Sequence, residues 1–342
     1  MISKSPFSAS PTVSMTPVRI SFGGGGTDLE AFYSKHDGLV VSATIDKYFY
    51  CIASKRTDGK LVLSSADYDL TEEHDTVEDV DTYGLFGLIK AVVRSFTPPF
   101  GVHIHTASDI PPGSGLGLSG AATVGAIKAV SAMLGKRVPL GAIAELASTI
   151  EIDRLKRPIG KQDQYASAFG GLNEIRFLRD EVTVAPLLAD GRALRELGNW
   201  TMLFFTGKSR DSATILSEQR GRTAQGHQDT MQLLLEIREH AQSMKSAIAA
   251  LDFVRLGELI DASWQAKRRI VSTISSARID ELYDQAKRSG AIGGKITGAG
   301  GGGFLMLVCP PEKRAAVSEA LAEMGVSQLP FRFVSRGTHI AR

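Results

Sequence analysis

Residues 111–122 read PPGSGLGLSGAA, a glycine-rich turn between two predicted elements. Before the turn, residues 102–107 alternate apolar and polar side chains, which predicts a half-buried strand. After it, residues 119–134 are small and apolar nearly all round, which predicts a buried helix that Gly135 ends. A glycine-rich turn at a helix N-terminus presents unpaired N–H groups and the positive end of the helix dipole. The stretch therefore predicts an anion site, and phosphate is the anion that fits it.

Two known phosphate-binding patterns can be tested against this turn. The P-loop pattern needs a Lys followed by Ser or Thr after its last glycine, and no such pair is present. The dinucleotide pattern GxGxxG is present as Gly115, Gly117 and Gly120. However, two prolines interrupt the turn, and the next acidic residue, Glu145, lies inside a predicted helix instead of at a strand end. NAD(P) binding, and a tight turn that serves packing alone, remain as alternatives.

Two further glycine runs lie far from this turn in the sequence. One spans residues 23–26 and the other spans residues 298–303, and the three runs together hold 13 of the 35 glycines. Glycine permits positive φ and lets backbone N–H groups approach a ligand closely. The three runs therefore predict backbone built around a phosphate.

Composition and charge exclude several classes of protein. The 342 residues are 43% apolar and 22% charged, which suffices for hydrophobic cores and excludes wholesale disorder. A formal net charge of +2 gives no global field that would hold a nucleic acid or an anionic membrane. No apolar run approaches the ~20 residues of a membrane span, and residues 1–16 lack the apolar core of a signal peptide. We therefore expect a cytoplasmic protein that binds neither nucleic acid nor membrane.

The predicted elements mix strands and helices without a regular βαβ alternation, which indicates an α+β protein of two lobes. We expect a flexible N-terminal extension over residues 1–16, an N-terminal domain over 17–195 and a C-terminal domain over 196–342. Strands are predicted over residues 17–22, 39–45, 48–54, 102–107, 172–177, 182–186, 200–206 and 330–334. Residues 295–308 are predicted as a strand, the third glycine run and a buried strand over 304–308. Helices are predicted over 119–134, 140–155, 163–169, 229–251, 253–274, 277–289 and 315–324.

The three glycine runs resemble the three motifs of the GHMP small-molecule kinases, which include galactokinase, homoserine kinase, mevalonate kinase and phosphomevalonate kinase. Residues 111–119 resemble the central motif of the family. Residues 17–28, PVRISFGGGGTD, resemble its N-terminal sugar-binding motif, and residues 295–304, KITGAGGGGF, its C-terminal loop. The resemblance implies a ribosomal-S5-like N-terminal domain that carries the ATP loop, and a ferredoxin-like C-terminal domain.

Further stretches resemble the heptose 7-phosphate kinases of this family, which phosphorylate C1 of the sugar. These stretches are residues 23–29 (GGGGTDL), 157–165 (RPIGKQDQY), 168–173 (AFGGLN) and 204–207 (FFTG). The resemblance implies ATP and Mg²⁺ as cofactors and a small sugar phosphate as substrate, and it leaves a homodimer open. Two alternatives remain: a kinase for an unphosphorylated sugar of the fucose or galactose type, and a nonenzymatic sensor of sugar or nucleotide.

The resemblance also implies roles for individual residues. Asp163 is implied as the catalytic base, and Arg19 as the cation that lowers its pKa and keeps it ionised. Ser119 and Glu151 are implied as ligands of Mg²⁺. The ATP-binding residues are implied to be Pro112, Gly113, Ser114, Gly115, Leu116, Gly117, Leu118 and Ser119. The substrate-binding residues are implied to be Asp28, Gly25, Gly26, Thr27, Lys161, Arg210, Gly300 and Gly301.

A substrate that carries its own phosphate needs a second anion site, for which Arg and Lys are the expected residue types. The first candidates are Lys161, Lys208 and Arg210, followed by Arg157 and Lys47.

Each of these residues also has an interpretation without a ligand. A basic residue is commonly a surface charge, and an Asp in the position of Asp163 is commonly a helix N-cap. Glu151 alone would be a solvated acid on a helix face. Residues 267–269, Lys-Arg-Arg, are predicted to form a solvated helix face.

One position departs from the family pattern. The usual Gly-Leu-Gly-Ser-Ser is Gly-Leu-Gly-Leu-Ser here, so that Leu118 replaces a hydroxyl side chain. The change removes one contact to phosphate or metal, while backbone N–H groups and Ser119 remain. We therefore expect an altered affinity for ATP in a site that still works.

Overall fold

The structure, a computed structural model, describes residues 10–78, 80–187, 191–207 and 212–341. The strands are β1 (Thr12–Gly23), β2 (Gly38–Arg56), β3 (Leu61–Ser65), β4 (Leu70–His74), β5 (Gly101–Ser108), β6 (Leu172–Phe177), β7 (Val182–Pro186), β8 (Thr201–Phe205), β9 (Gly293–Ile296), β10 (Phe304–Val308), β11 (Ser327–Gln328) and β12 (His339–Ile340). The helices are α1 (Glu30–Tyr33), α2 (Gly87–Phe96), α3 (Leu118–Met133), α4 (Leu140–Ser148), α5 (Gln162–Phe169), α6 (Gly191–Trp200), α7 (Ser212–Ala224), α8 (Gln228–Ala249), α9 (Phe253–Arg268), α10 (Ala277–Arg288) and α11 (Arg314–Glu323).

The larger sheet is built on β2, a strand of 19 residues. Its order is β12-β1-β2-β5-β3-β4, with β6 and β7 joined to the first half of β2 on the same side as β5. Two separate strands were predicted over residues 39–45 and 48–54. They form one strand, because the irregular residues between them lie at a register shift against β1 and not at a turn.

The smaller sheet has the order β11-β8-β10-β9 and is antiparallel throughout. Helices α8 and α9 pack against each other, and α9 lies on β9 and β10. Trp264 of α9 is the largest fully buried side chain among the described residues and belongs to the apolar core of this lobe. In the other lobe α3 packs against β1 and β2, which places its N-terminus at the end of the larger sheet.

The described ends of the chain correct the predicted boundaries. β1 begins at Thr12, so residues 12–16 of the predicted flexible extension belong to the sheet. The predicted strand over 330–334 is only a single bridge between Phe333 and Ile45, and β12 follows it and pairs with β1. The last described residues therefore return to the larger sheet. The predicted boundary at residues 195 and 196 falls inside α6.

Most of the predicted helices lie within a few residues of their observed bounds. α3 begins one residue before its predicted start, and Gly135 follows its end with a φ of +72°. The helix predicted over 140–155 is α4 continued by a π-helix over Thr149–Arg154. The elements that sequence analysis missed are α1, α2, α6, α7, β3, β4, β11 and β12. They are short or have weak patterns, so tertiary packing decides their conformation. No helix in the described ranges is both long and apolar enough to cross a membrane.

Gly24 fixes the first glycine run against β2. Its φ is +86°, and a Cβ on this residue would lie 1.8 Å from the carbonyl oxygen of Leu39. Thr27 closes the same turn, because its hydroxyl donates to the Gly24 carbonyl at 2.7 Å and accepts from the Leu39 N–H at 3.0 Å. The run is therefore held rigidly where it leaves the sheet.

We expect Gly24→Ala to lower the free energy of unfolding more than the matched variant Gly59→Ala. Both glycines have positive φ, which costs a non-glycine residue about 1–2 kcal/mol. Only at Gly24 would the new Cβ also meet backbone, since nothing lies within 4 Å at Gly59. Urea denaturation of both variants measures the difference, and equal losses would show that contact with β2 adds nothing to the strain.

Candidate functional site

The three glycine runs meet at one cleft between the two lobes. The first run reaches it from β1, the second from the turn before α3, and the third from the turn between β9 and β10. Residues of α5, α7 and α9 complete the walls. The cleft is lined by Arg19, Gly25, Gly26, Asp28, Leu29, Gly113, Ser114, Gly115, Gly117, Leu118, Ser119, Gly120, Ile159, Gly160, Gln162, Asp163, Leu216, Gln219, Lys267, Thr297, Gly298, Ala299, Gly300 and Gly302.

Arg19 and Asp163 form an ion pair inside this cleft. The Nε of Arg19 donates to Oδ1 of Asp163 at 2.8 Å, and Nη2 lies 2.6 Å from the same oxygen. Nη1 donates to the carbonyl of Gly115 at 2.8 Å. The Arg19 side chain is only 3% exposed, whereas that of Asp163 is 25% exposed. The carboxylate therefore faces the cleft while the guanidinium ties it to the second glycine run.

Asp163 does not cap α5. The N-cap of this helix is Lys161, and Asp163 lies in the first turn. The interpretation of Asp163 as a helix N-cap is therefore wrong, and its carboxylate is available to a ligand in the cleft.

Glu151 lies buried beside the N-terminus of α3. Its side chain is 0% exposed, and it comes from the π-helix that continues α4, a local form that is frequent at functional sites. The hydroxyl of Ser119 donates to Oε2, and Thr123 and Gln164 each donate to Oε1 at 2.8 Å. Arg157 donates to Oε2 at 3.2 Å and to the Ser119 hydroxyl. The interpretation of Glu151 as a solvated acid is therefore wrong.

A carboxylate and a hydroxyl in contact are the hard oxygen donors that Mg²⁺ prefers. Within the described ranges, no group of three or more His, Cys, Asp and Glu residues could hold a metal ion. Mg²⁺ in nucleotide sites is commonly held by one or two protein carboxylates together with water and phosphate oxygens. Ser119 and Glu151 fit such a site, since both lie where the second glycine run enters α3.

The second glycine run has the geometry of an anion cradle. Gly113, Gly115 and Gly117 all have φ between +73° and +80°, and Gly117 is the N-cap of α3. No side chain caps the helix, so its first N–H groups point toward the cleft without a side-chain partner. Leu116 contributes through its backbone, because its side chain is buried in the core and its carbonyl accepts from Arg19 N at 3.0 Å.

A second cleft adjoins the first one on the other side of Leu118. Gly113, Leu118 and Ser119 line both clefts. The second cleft is lined by Phe49, Ser65, Asp67, Tyr68, Leu85, Phe86, Leu88, Ile89, Thr106, Pro112, Gly113, Leu118, Ser119, Ala122 and Arg157. Much of this lining is apolar, and part of it comes from α2, which sequence analysis missed. The second glycine run thus separates two clefts with different residue types in their walls. The first, rich in glycine and in charged and polar side chains, is called the polar cleft, and the second, lined mainly by apolar residues, is called the apolar cleft.

Asp28 is buried at the first glycine run and lines the polar cleft. It accepts hydrogen bonds from Gly26 N at 2.9 Å and from Gln162 N at 3.3 Å. Burial raises the pKa of Asp28, and the nearby charge of Asp163 raises it further. Gly25, Gly26 and Gly300, which were predicted with it, also line the cleft.

Two other residues that were predicted to contact the substrate form hydrogen bonds within the protein instead. Thr27 is buried and closes the turn described above, so its hydroxyl faces the backbone of Gly24 and Leu39. Gly301 donates its N–H to the carbonyl of Ile274 at 2.8 Å. Neither residue lines the cleft.

Of the predicted phosphate-binding cations, those that the structure describes, Lys161, Arg157 and Lys47, do not line this cleft. The ammonium of Lys161 donates to Glu145 at 2.7 Å, and Lys161 does not line the cleft. Lys208 and Arg210 lie outside the described residues. Arg157 lines the second cleft, next to Ser119 and Glu151.

Lys267 is a residue of the cleft that sequence analysis misjudged. It was predicted on a solvated face, but it is 6% exposed and its ammonium donates to the Gly298 carbonyl at 2.6 Å. Burial lowers the pKa of Lys267 to about 8. The sequence contains a signal for this burial. Lys267 lies at helical spacing from Ile260 and Trp264, which are both apolar.

Comparison with known proteins gives two family matches. Residues 85–171 match the model of the GHMP kinases N terminal domain, and residues 244–327 match that of the GHMP kinases C terminal. The chain is 36% identical over 331 residues to a D-glycero-alpha-D-manno-heptose 7-phosphate kinase of Campylobacter jejuni, covering 94% of this chain and 96% of that one. It is also 25% identical to an L-fucokinase/L-fucose-1-P guanylyltransferase of Bacteroides fragilis, covering 90% of this chain and 36% of that protein.

A solved structure is similar over the whole chain. The crystal structure of a D-glycero-D-manno-heptose 1-phosphate kinase from Bacteroides thetaiotaomicron matches with a TM-score of 0.81 and 28% identity. The match covers 97% of this chain and 99% of that one. The two-lobe α+β fold predicted from the sequence is confirmed.

We expect Lys267→Met to raise the midpoint of thermal unfolding at pH 7. The variant removes a buried ammonium that has no carboxylate partner among the described residues. The pKa of this group is about 8 in the folded protein against an ordinary value of 10.5, so the folded state holds the proton less tightly than the unfolded chain. The loss of stability caused by the buried ammonium is therefore fully present below about pH 8. The rise in the unfolding midpoint from Lys267→Met should shrink as pH rises toward 10.5.

The exposed Lys35 provides the control for this measurement. Lys35→Met removes the same charge from the surface, and its midpoint relative to wild type should not change between pH 7 and pH 10. A lower midpoint for Lys267→Met at pH 7 would contradict the prediction.

Proposed function

The chain belongs to the GHMP kinase family and is an ATP-dependent sugar kinase, and we propose that its acceptor is D-glycero-D-manno-heptose 7-phosphate. The reaction transfers the γ-phosphoryl group of ATP to the C1 hydroxyl and gives the 1,7-bisphosphate. Such a product would supply a nucleotide-activated heptose for surface polysaccharide, and we place the reaction in the cytoplasm.

The ion pair of Arg19 and Asp163 carries this proposal. Phosphoryl transfer depends mainly on positioning and charge neutralisation, with one group to accept or orient the proton of the attacking hydroxyl. The partly exposed carboxylate of Asp163 is suited to that task. Arg19 joins it to the Gly115 carbonyl, so the acceptor hydroxyl and the phosphate cradle are held in a fixed relation.

The nucleotide binds across the second glycine run. Its phosphates lie on the N–H groups at the start of α3, and its nucleoside occupies the apolar cleft, because Gly113, Leu118 and Ser119 line both spaces. Ser119 and Glu151 would hold Mg²⁺ there. The ion would supply neutralisation of phosphate charge.

The acceptor binds in the polar cleft. Asp28 accepts from a sugar hydroxyl, while Gly25, Gly26 and Gly300 allow the ring to approach the backbone. The relative from Campylobacter jejuni is named for the 7-phosphate as substrate, and it covers nearly the whole chain. The structure from Bacteroides thetaiotaomicron is named for the heptose 1-phosphate, so the position of the existing phosphate needs a direct test.

A kinase for an unphosphorylated sugar is the second candidate. The similarity to the L-fucokinase/L-fucose-1-P guanylyltransferase favours it, because that alignment covers 90% of this chain. The two candidates differ in whether the acceptor already carries a phosphate.

Across a panel of acceptors, we expect ADP release with Mg·ATP to be fastest by far when heptose 7-phosphate is the acceptor. The panel also contains heptose 1-phosphate, mannose 6-phosphate, free mannose, fucose, galactose and a blank without sugar. Asp163→Asn should lower kcat by about 10²–10⁴, the usual contribution of a general base. The exposed Asp180→Asn is the matched control and should retain full activity.

The other results of this panel each contradict the proposal in a defined way. Turnover of free sugars would favour the second candidate. ATP binding without turnover of any acceptor would favour a sensor on this fold.

We expect Leu118→Ser to raise the KM for ATP by about three- to ten-fold, because it removes about 1 kcal/mol of apolar contact from the nucleoside cleft. The KM for the acceptor serves as the internal comparison and should change less than the KM for ATP, although Leu118 also lines the polar cleft, where the acceptor binds. A lower KM for ATP would instead show that the hydroxyl usual in the family makes a phosphate contact that outweighs the apolar one.

A further inference from the structure

We propose that Lys267 and Gln219, both from the C-terminal lobe, bind the phosphate that the acceptor already carries. This inference rests on the proposed function, since it concerns a phosphorylated acceptor in the same cleft. It assigns the second anion site to two residues that sequence analysis did not consider for it.

Lys267 is a buried cation with unused hydrogen-bonding capacity. An ammonium has three donors, and the described residues give Lys267 one acceptor, the Gly298 carbonyl. No carboxylate among them lies within ion-pair distance of it. Burial of an unpaired charge costs several kcal/mol, so such a residue is expected where an anionic ligand completes it.

Gln219 supplies a second donor to the same cleft. This residue of α7 is 1% exposed and lines the cleft, and its Nε2 has no hydrogen-bond partner among the described residues. The amide lies against the first glycine run, because a Cβ built on Gly26 would fall 2.3 Å from Nε2. A buried amide donor without an acceptor is costly, and a ligand oxygen would satisfy it.

Gln219 lies on the acceptor side of the cleft, and Lys267 reaches the cleft beside Gly298, which lies against Gly115. Gln219 touches Gly26, and Gly26 binds the carboxylate of Asp28. Lys267 is close enough to Asp28 and Arg19 for their charges to act on it. The phosphates of ATP already have the N-terminus of α3, together with Arg157 beside Ser119. The unpaired donors of the other lobe are therefore left to the phosphate of the acceptor.

The net charge of this region fits an anionic ligand. Arg19 is neutralised by Asp163, whereas Lys267 and the neighbouring Lys295 have only carbonyl partners, Gly298 and Ser21 respectively. One buried carboxylate, Asp28, faces these two lysines. The two lysines exceed Asp28 by one positive charge, which a bound phosphate would offset.

The test compares one sugar with and without its phosphate. Initial rates are measured with Mg·ATP and either heptose 7-phosphate or free heptose, for wild type, Lys267→Met and Gln219→Leu. Lys267→Met should lower kcat/KM for heptose 7-phosphate by about 10- to 100-fold, mainly through KM, because a charge-assisted contact is lost. The rate with free heptose should change by less than about three-fold, within the spread expected for a residue that makes no contact with substrate. Gln219→Leu should also lower kcat/KM for heptose 7-phosphate more than the rate with free heptose, but by a smaller factor than Lys267→Met.

Lys295→Met is the matched control. It removes a second buried ammonium from the same region, but Lys295 does not line the cleft and bonds to the Ser21 carbonyl at 3.0 Å. It should shift the ratio of the two acceptors much less than Lys267→Met does, because its ammonium does not reach the cleft. An equal shift of this ratio in Lys295→Met would show a general electrostatic effect and overturn the assignment.

Two further outcomes separate this inference from the proposed function. Equal losses with both acceptors in Lys267→Met would place the lysine on the transferred phosphoryl group and overturn the inference alone. A wild-type enzyme that prefers free heptose would overturn both. Calorimetric binding of heptose 7-phosphate without nucleotide gives an independent readout, and unaltered affinity in Lys267→Met would overturn the inference.

Discussion

The arrangement of the site depends on the contacts that the side chain of Arg19 makes. It leaves β1 just after a register shift against β2, and its guanidinium reaches both Asp163 and the Gly115 carbonyl. Three segments distant in sequence are thereby held at one buried point. Loss of either Arg19 or Asp163 would leave the other charge unpaired, which is costly in a buried position. The three segments therefore keep a common geometry.

The walls of the two clefts differ in what they are made of. Around the first cleft the protein presents much backbone, because glycine permits positive φ and leaves room for a ligand. The second cleft presents apolar side chains from α2 and from β2 instead. Leu118 stands at the border of the two, where other members of the family are expected to have a hydroxyl. Its side chain lines both clefts, so a substitution at this position changes the balance between apolar and polar surface at their border.

Sequence patterns predicted the backbone part of the site and failed on several of its side chains. The glycine runs, the contact of Arg19 with Asp163 and that of Ser119 with Glu151 rest on local motifs, and the structure brings them together. Lys267 was misjudged because neighbouring basic residues resemble a solvated face, although helical spacing from Trp264 directs it inward. Gln219 lies on α7, a helix without a clear apolar period. Thr27 and Lys161 were predicted to contact the substrate because their motifs lie at the site. Their side chains instead bond to the protein itself, to the Gly24 carbonyl and to Glu145 respectively.

The pairing of β12 with β1 has a consequence for the synthesis of the protein. Thr338 donates to the carbonyl of Ser167 in α5 and shares a hydrogen bond with Thr16 of β1, so the segment that carries Asp163 is braced by residues from the far end of the described chain. A chain emerging from the ribosome folds its first domain first. Here that domain lacks its edge strand and the brace on α5 until residues 333–340 have emerged. The site around Asp163 is therefore completed only after residues 333–340 have been synthesised, and a nascent chain that lacks them has no fully formed cleft.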